Sequence, residues 1–116
     1  MSALSLPDRL RQLAELVEIL SVAGVTGVCV VATHTEARLN ISSATLNHLA
    51  PLLSAAAVFG ATDIEWAPDG SFWQARLVGG PEGIIVQASV SPYHVPPDVL
   101  AKLCPVPAAA SVVVPL

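Results

Sequence analysis

Three histidines and two cysteines are the side chains best suited to metal or nucleophilic chemistry here: His34, His48, His94, Cys29 and Cys104. His34-Thr35-Glu36 carries the H-x-E of zinc deaminases, where the pair opens a helix and a P-C-x-x-C segment completes the metal site. In this chain the triplet falls between two apolar-alternating runs, where a hairpin turn is expected, and Cys104-Pro105 has no second cysteine behind it. Structural zinc takes four ligands, commonly in close pairs, and no such pair occurs. Cys104 could be combined on paper with His94 or His34 as a nucleophile and its base. Nothing around Cys104 marks it as an activated thiol. There is no G-x-S-x-G, and Gly79-Gly80-Pro81-Glu82-Gly83 lacks the Lys-Ser/Thr of a phosphate loop. The expectation is therefore a protein with no catalytic residues, no metal and no cofactor.

What remains is an aromatic group. Trp66, Phe72 and Trp73 bracket the turn Pro68-Asp69-Gly70, and Tyr93 lies further on. Together with Arg38, Arg76 and His94 they could form a surface for a small anionic or nucleotide ligand. Trp66 and Trp73 also sit on the inward phase of their runs, which is the phase of a core residue.

These residues need elements to hold them. Ser5-Leu6-Pro7-Asp8 reads as a helix start, with a serine cap, a proline in the first turn and an acid at the third position. Leu10, Leu13, Val17 and Leu20 then repeat at helical spacing up to Gly24, predicting a helix over residues 6–23. The apolar surface of that helix exceeds half its circumference. Residues 27–33, GVCVVAT, read as a strand apolar on both faces, hence central in its sheet with Cys29 in the core. Residues 36–42 alternate, with Ala37, Leu39 and Ile41 inward, so the two runs form a hairpin through Thr33-His34-Thr35.

A second helix is expected from Ser42 or Ser43 to Gly60, with Leu46, Leu49, Leu53 and Ala56 buried. Pro51 must either kink it or mark a fresh start, and a kinked helix is the preferred reading. Residues 62–90 then hold three alternating runs separated by Pro68-Asp69-Gly70 and by residues 79–83, the pattern of an antiparallel meander. Ile64, Trp66, Trp73, Ala75, Leu77, Ile84, Val86, Ala88 and Val90 face inward. Phe72, Val78 and Ile85 fall on the polar faces, which implies that something covers part of the outer surface. From Ser91 onward prolines cluster; residues 97–103 fit a short helix, and residues 108–116 form an apolar tail containing Val112, Val113 and Val114.

Composition narrows the class. The chain has 116 residues, enough for one domain, and only 12% are charged against 53% hydrophobic. About a quarter charged is usual, so a charge deficit this large points to surface buried in a homo-oligomer. The net charge is −4 and the five basic residues are scattered. Nucleic-acid binding rests on a clustered basic face, and is not expected. No apolar run approaches the ~20 residues of a membrane helix, and no basic leader precedes an apolar segment, so a cytoplasmic protein is expected.

The segments VCVVATHTEARLNISS, the Ala/Leu-rich helix after it, FWQARLVGG and IIVQASV resemble, in cadence and composition, short uncharacterised proteins of actinobacterial phages and mobile elements. The resemblance spans most of the chain and implies no site residue.

The expected fold is α+β: two helices packed on an antiparallel sheet in the order helix, β-hairpin, helix, three-stranded meander, then an irregular proline-rich C-terminal segment. Residues 1–104 would form one domain, with 105–116 a tail on its own or a neighbouring subunit. The expected function is a small non-enzymatic protein-interaction module, partnered with itself and with another protein through Phe72, Val78, Ile85, Val112, Val113 and Val114. The alternative is an oligomeric binder that sequesters a small anionic or nucleotide ligand through Arg38, Arg76, Trp66, Trp73, Tyr93 and His94.

Overall fold

The computed structural model describes residues 5–104 and 110–116. Ser5 caps the first helix, α1 (Leu6–Val22), by accepting the Asp8 N–H at 3.3 Å and donating its hydroxyl to the Asp8 carboxylate at 2.9 Å. Pro7 lies in the first turn, where its missing N–H has no partner to lose. The helix ends at Gly24, whose φ of +88° lets the chain reverse. There the Val25 N–H reaches the Leu20 carbonyl at 2.8 Å and the Gly24 N–H reaches Ser21 at 3.0 Å. This paired closure is sealed by burial of both Leu20 and Val25.

A hairpin follows, β1 (Gly27–Ala32) and β2 (Ala37–Ser42), in the register Val30 opposite Leu39. The His34 segment is its exposed turn, tied by Thr33 N–H to the Glu36 carbonyl at 2.8 Å and by Glu36 N–H to the Thr33 hydroxyl at 3.0 Å. The second helix, α2, spans Leu49–Phe59. It is not kinked. Pro51 stands in its first turn, where backbone N–H groups have no intrahelical acceptor, so the proline marks a start. Residues 43–48 are a loop, and Leu46 and Leu53, both expected in the buried stripe, are exposed. The buried residues of α2 are Leu49, Leu52, Ala55 and Ala56.

The meander is present as β3 (Asp63–Asp69), β4 (Phe72–Val78) and β5 (Ile85–Val90). After it come a single 3-10 turn at Pro92–His94 and a third helix, α3 (Pro97–Leu103). The region expected to be irregular is thus largely ordered by its prolines, which stand at the starts of both short elements. The final strand, β6 (Val112–Pro115), pairs antiparallel with the chain's own β3. The start of the expected tail, residues 105–109, lies outside the described residues.

All six strands form one sheet in the order β1-β2-β5-β4-β3-β6. The sheet is mixed and not wholly antiparallel as expected, because β5 lands beside β2 running parallel to it. Strand composition carries no information on the direction of a neighbour distant in sequence. β1 is also not central but an edge strand, and Cys29 is exposed. Its apolar residues report two apolar faces and say nothing of whether both edges are paired.

α1 packs on β1 and β2, and α2 on β2 and β5. Val99, Leu100 and Leu103 of α3 join the same core. That core is centred on Leu13, Leu20, Leu39, Leu52, Trp66, Val86, Val90 and Leu103, drawn from three helices and three strands. Among the described residues, no helix lies on the sheet's other face.

Candidate functional site

The helix-free face is built by strand register. Residues paired across strands point to the same side. One row crosses the sheet as Cys29, Asn40, Gln87, Arg76, Glu65 and Val113. Alternation in each strand places these opposite the core residues: Leu39 and Ile41 flank Asn40, and Val86 and Ala88 flank Gln87. The row is linked laterally. Gln87 donates its amide to Asn40 Oδ1 at 2.9 Å and accepts from an Arg76 Nη at 3.5 Å. Gln87 is only 7% exposed although it lies on the open face.

Arg38 and Ile85 pair in the next row, and Val78 pairs with Asp63 there. Arg38 is held by Glu36 at 2.7 Å. Arg76 has no carboxylate within ion-pair distance among the described residues, and its Nε is buried without a partner. The cross-strand partner of Arg76 on this face is Glu65, with which it makes no ion pair; the Nε of Arg9 and of Arg38 is likewise buried without a partner.

Towards the other end of the strands the face dips into a groove of about 370 Å³, lined by Cys29, Asn40, Ser42, His48, Asp69, Gln74 and Ser89 among others. The His48 Nδ1 accepts the Ser43 amide at 2.8 Å. In the neutral ring the proton therefore sits on Nε2. An adjoining hollow runs past Leu46, Phe72, Ser91, Tyr93 and His94. No cluster of three or more metal-ligating side chains occurs among the described residues.

The expected interaction residues divide between the two faces. Phe72, Val78 and Val113 are exposed on the open face and Ile85 is half-buried there. Val114 points the other way into the core, and Val112 packs against that core. A strand alternates, so Val112-Val113-Val114 offers only its middle residue outward.

The six residues considered for a ligand do not share a surface. Arg38 and Arg76 are on the open face, whereas Trp66 is buried beneath the helices and Trp73, opposite Val90, packs on the same core. Tyr93 is 95% exposed and touches neither arginine's row, and His94 is half-buried beside it. The residues that sequence reasoning missed as a group are Asn40, Gln87 and Glu65. Each is legible as outward-facing in its own strand, but only the register aligns them with Arg76.

Comparison of the chain with known protein families, with curated proteins and with solved structures finds no significant match.

Proposed function

We propose that this chain is a small, non-enzymatic, self-associating protein-interaction module whose working surface is the helix-free face of its sheet. One observation carries the reading: Arg76, at the centre of that face, has its Nε buried without a partner and makes no ion pair among the described residues, although Glu65 stands across from it in β3. The partner is a protein surface that brings an acidic side chain to Arg76 and apolar side chains to Phe72, Val78, Ile85 and Val113. The size is suitable. Six strands ~4.8 Å apart and about six residues long project roughly 580 Å², the order of the ~800 Å² per partner in a standard interface. The two cysteines are free and exposed, which suits a reducing, cytoplasmic setting. No described helix is long and apolar enough to cross a membrane.

The small-ligand alternative has less support. Arg38 is already engaged by Glu36, Trp66 is under the helices, and the groove on the open face carries Asp69 and no arginine. An anion would be repelled there.

The test is affinity capture from the natural host with wild-type protein beside Phe72→Asp, Arg76→Glu and a control on exposed α1, Glu18→Gln. A partner held by wild type and Glu18→Gln and lost by both open-face variants supports the reading. A partner kept by both open-face variants refutes it.

A further inference from the structure

β1 has the composition of a strand paired on both sides, and it is paired on one. Its sequence, GVCVVA, has no charge, no proline and no bulge over six residues. Natural edge strands usually carry such features, because an unprotected edge is a template for another strand. The opposite edge has one of them: β6 is four residues long and ends at Pro115. At β1 the apolar side chains are exposed on both faces, Val30 at 40% on the helix side and Val31 at 36% with Cys29 on the open side. Above them α1 keeps Leu10, Ile19 and Val22 exposed as well.

The hydrogen-bond phase of this edge can be read from the hairpin. Thr33 donates to the Glu36 carbonyl, so Thr33 faces β2 with its backbone. By antiparallel alternation Val31, Cys29 and Gly27 do the same, and Val28, Val30 and Ala32 turn their backbone groups outward. Of these, the Val28 N–H makes a local contact with Thr26 at 3.1 Å. The N–H and C=O of Val30 and Ala32 have no partner across that edge among the described residues.

We infer that β1 is a homodimer seam, at which a second copy of this chain adds its own β1 antiparallel to form one continuous sheet across the two-fold axis. The inference rests on the self-association in the reading above but uses a surface that leaves the open face free. A two-fold pairing centred on Val30 is the register that matches all three outward-facing residues, with Val30 against Val30 of the second copy and Val28 against its Ala32. Cys29 of one copy then lies directly across from Val31 of the other on the open face, in a non-hydrogen-bonded pair with Cα atoms ~4.5 Å apart. No charge opposes another between the two paired strands. The occupant is a second copy because the edge is self-complementary in backbone phase, side-chain size and charge.

The experiment combines sedimentation with directed disulfide trapping of the full chain. Wild type is expected to sediment at twice its 11.9 kDa. Val30→Pro removes an N–H that the fold does not use, a position where edge strands tolerate proline. It is expected to sediment as a monomer with an unchanged circular-dichroism spectrum. Val31→Cys, oxidised with glutathione disulfide, is expected to cross-link the copies. The bond joins Cys29 of one copy to the introduced thiol of the other, since ~4.5 Å is within disulfide range. The cross-link is expected to disappear when Val30→Pro is added. Because Val31→Cys leaves the backbone alone, it tests the seam even where the proline variant fails to fold.

A wild-type monomer across the concentration range overturns the inference. So does dissociation by Phe72→Asp with the dimer intact in Val30→Pro, which moves the seam to the open face. A Cys29–Cys29 bridge in wild type overturns the register, placing the axis at Cys29. A wild-type dimer that captures no partner refutes the open-face reading and leaves the seam standing.

Discussion

Arg76→Met is expected to make the isolated protein more stable while weakening partner capture. The arginine's only hydrogen bond among the described residues is the 3.5 Å contact with Gln87, at the long limit of such bonds, and its Nε is buried without a partner. A buried donor left unsatisfied costs about 1–3 kcal/mol. The Nη groups of a half-buried residue still reach water, so the lower end applies. Losing the long bond to Gln87 and the neighbouring charge of Glu65 gives back roughly 0.5 kcal/mol. Methionine keeps an unbranched apolar stem of similar reach, so whatever packing the arginine's methylenes make is largely retained. The net gain is about 0.5–1 kcal/mol, or roughly 2–4 °C in midpoint for a domain of this size. In the complex the same change removes a charge-assisted bond worth about 1.5–3 kcal/mol, a weakening of roughly 10- to 100-fold. Thermal unfolding followed by circular dichroism gives the first number, and titration against the captured partner gives the second. A midpoint that falls by several degrees would show Arg76 to be part of the scaffold, and the argument from its isolation would be refuted.

Two further expectations concern the backbone that frames the face. Gly27→Ala places a Cβ inside the space of the Ser42 carbonyl across the hairpin, and backbone cannot yield as a side-chain tip can. A loss of about 2 kcal/mol is expected, near ~8 °C in the same melt, and an unchanged midpoint would contradict the β1–β2 register. Leu46 adopts a φ of +68° while 70% exposed, a conformation costing a non-glycine residue roughly 1–2 kcal/mol that asparagine largely escapes. Leu46→Asn is therefore expected to raise the midpoint by about 4–8 °C. A drop would mean that the exposed leucine packs better than its accessibility indicates.

Much of the fold is legible in the sequence because it is local. The Ser5 cap, the Gly24 stop, the hairpin at His34 and the three runs of the meander each depend on a few adjacent residues. Alternation also places Phe72, Val78 and Ile85 outward. What escapes is non-local. The helix start at Leu49 is obscured because Leu46 fits the apolar spacing, and spacing alone cannot reveal a loop that leaves it in water. The parallel contact of β5 with β2 joins strands on opposite sides of α2 and the meander's first two strands, and nothing in either strand encodes it. The candidate site is hidden for the same reason. Asn40, Gln87, Arg76 and Glu65 come from four strands, and their alignment is a product of register.

The placement of β1 at an edge has a different cause. GVCVVA reads as a central strand because a strand at a solvent edge normally carries a charge or a proline, and that inference about the strand's environment is sound physics. The chain alone does not supply the environment. The seam proposed above would supply it, turning each β1 from an edge into one of two central strands of a twelve-stranded sheet. This also bears on the 12% charge. A subunit that buries an edge and offers a whole sheet face to a partner has less surface left to keep in water than a monomer of its length. The two surfaces do not compete, because edge pairing extends the sheet sideways and leaves the row of Asn40, Gln87, Arg76 and Glu65 uncovered in each copy. In the proposed dimer the joined faces would lie side by side in one surface roughly 58 Å across, twelve strands at ~4.8 Å. A partner with two acidic sites could then bridge two Arg76 side chains, and its apparent affinity would exceed that for one face by the effective concentration of the second. Val30→Pro should therefore weaken capture of such a partner even though Val30 never touches it.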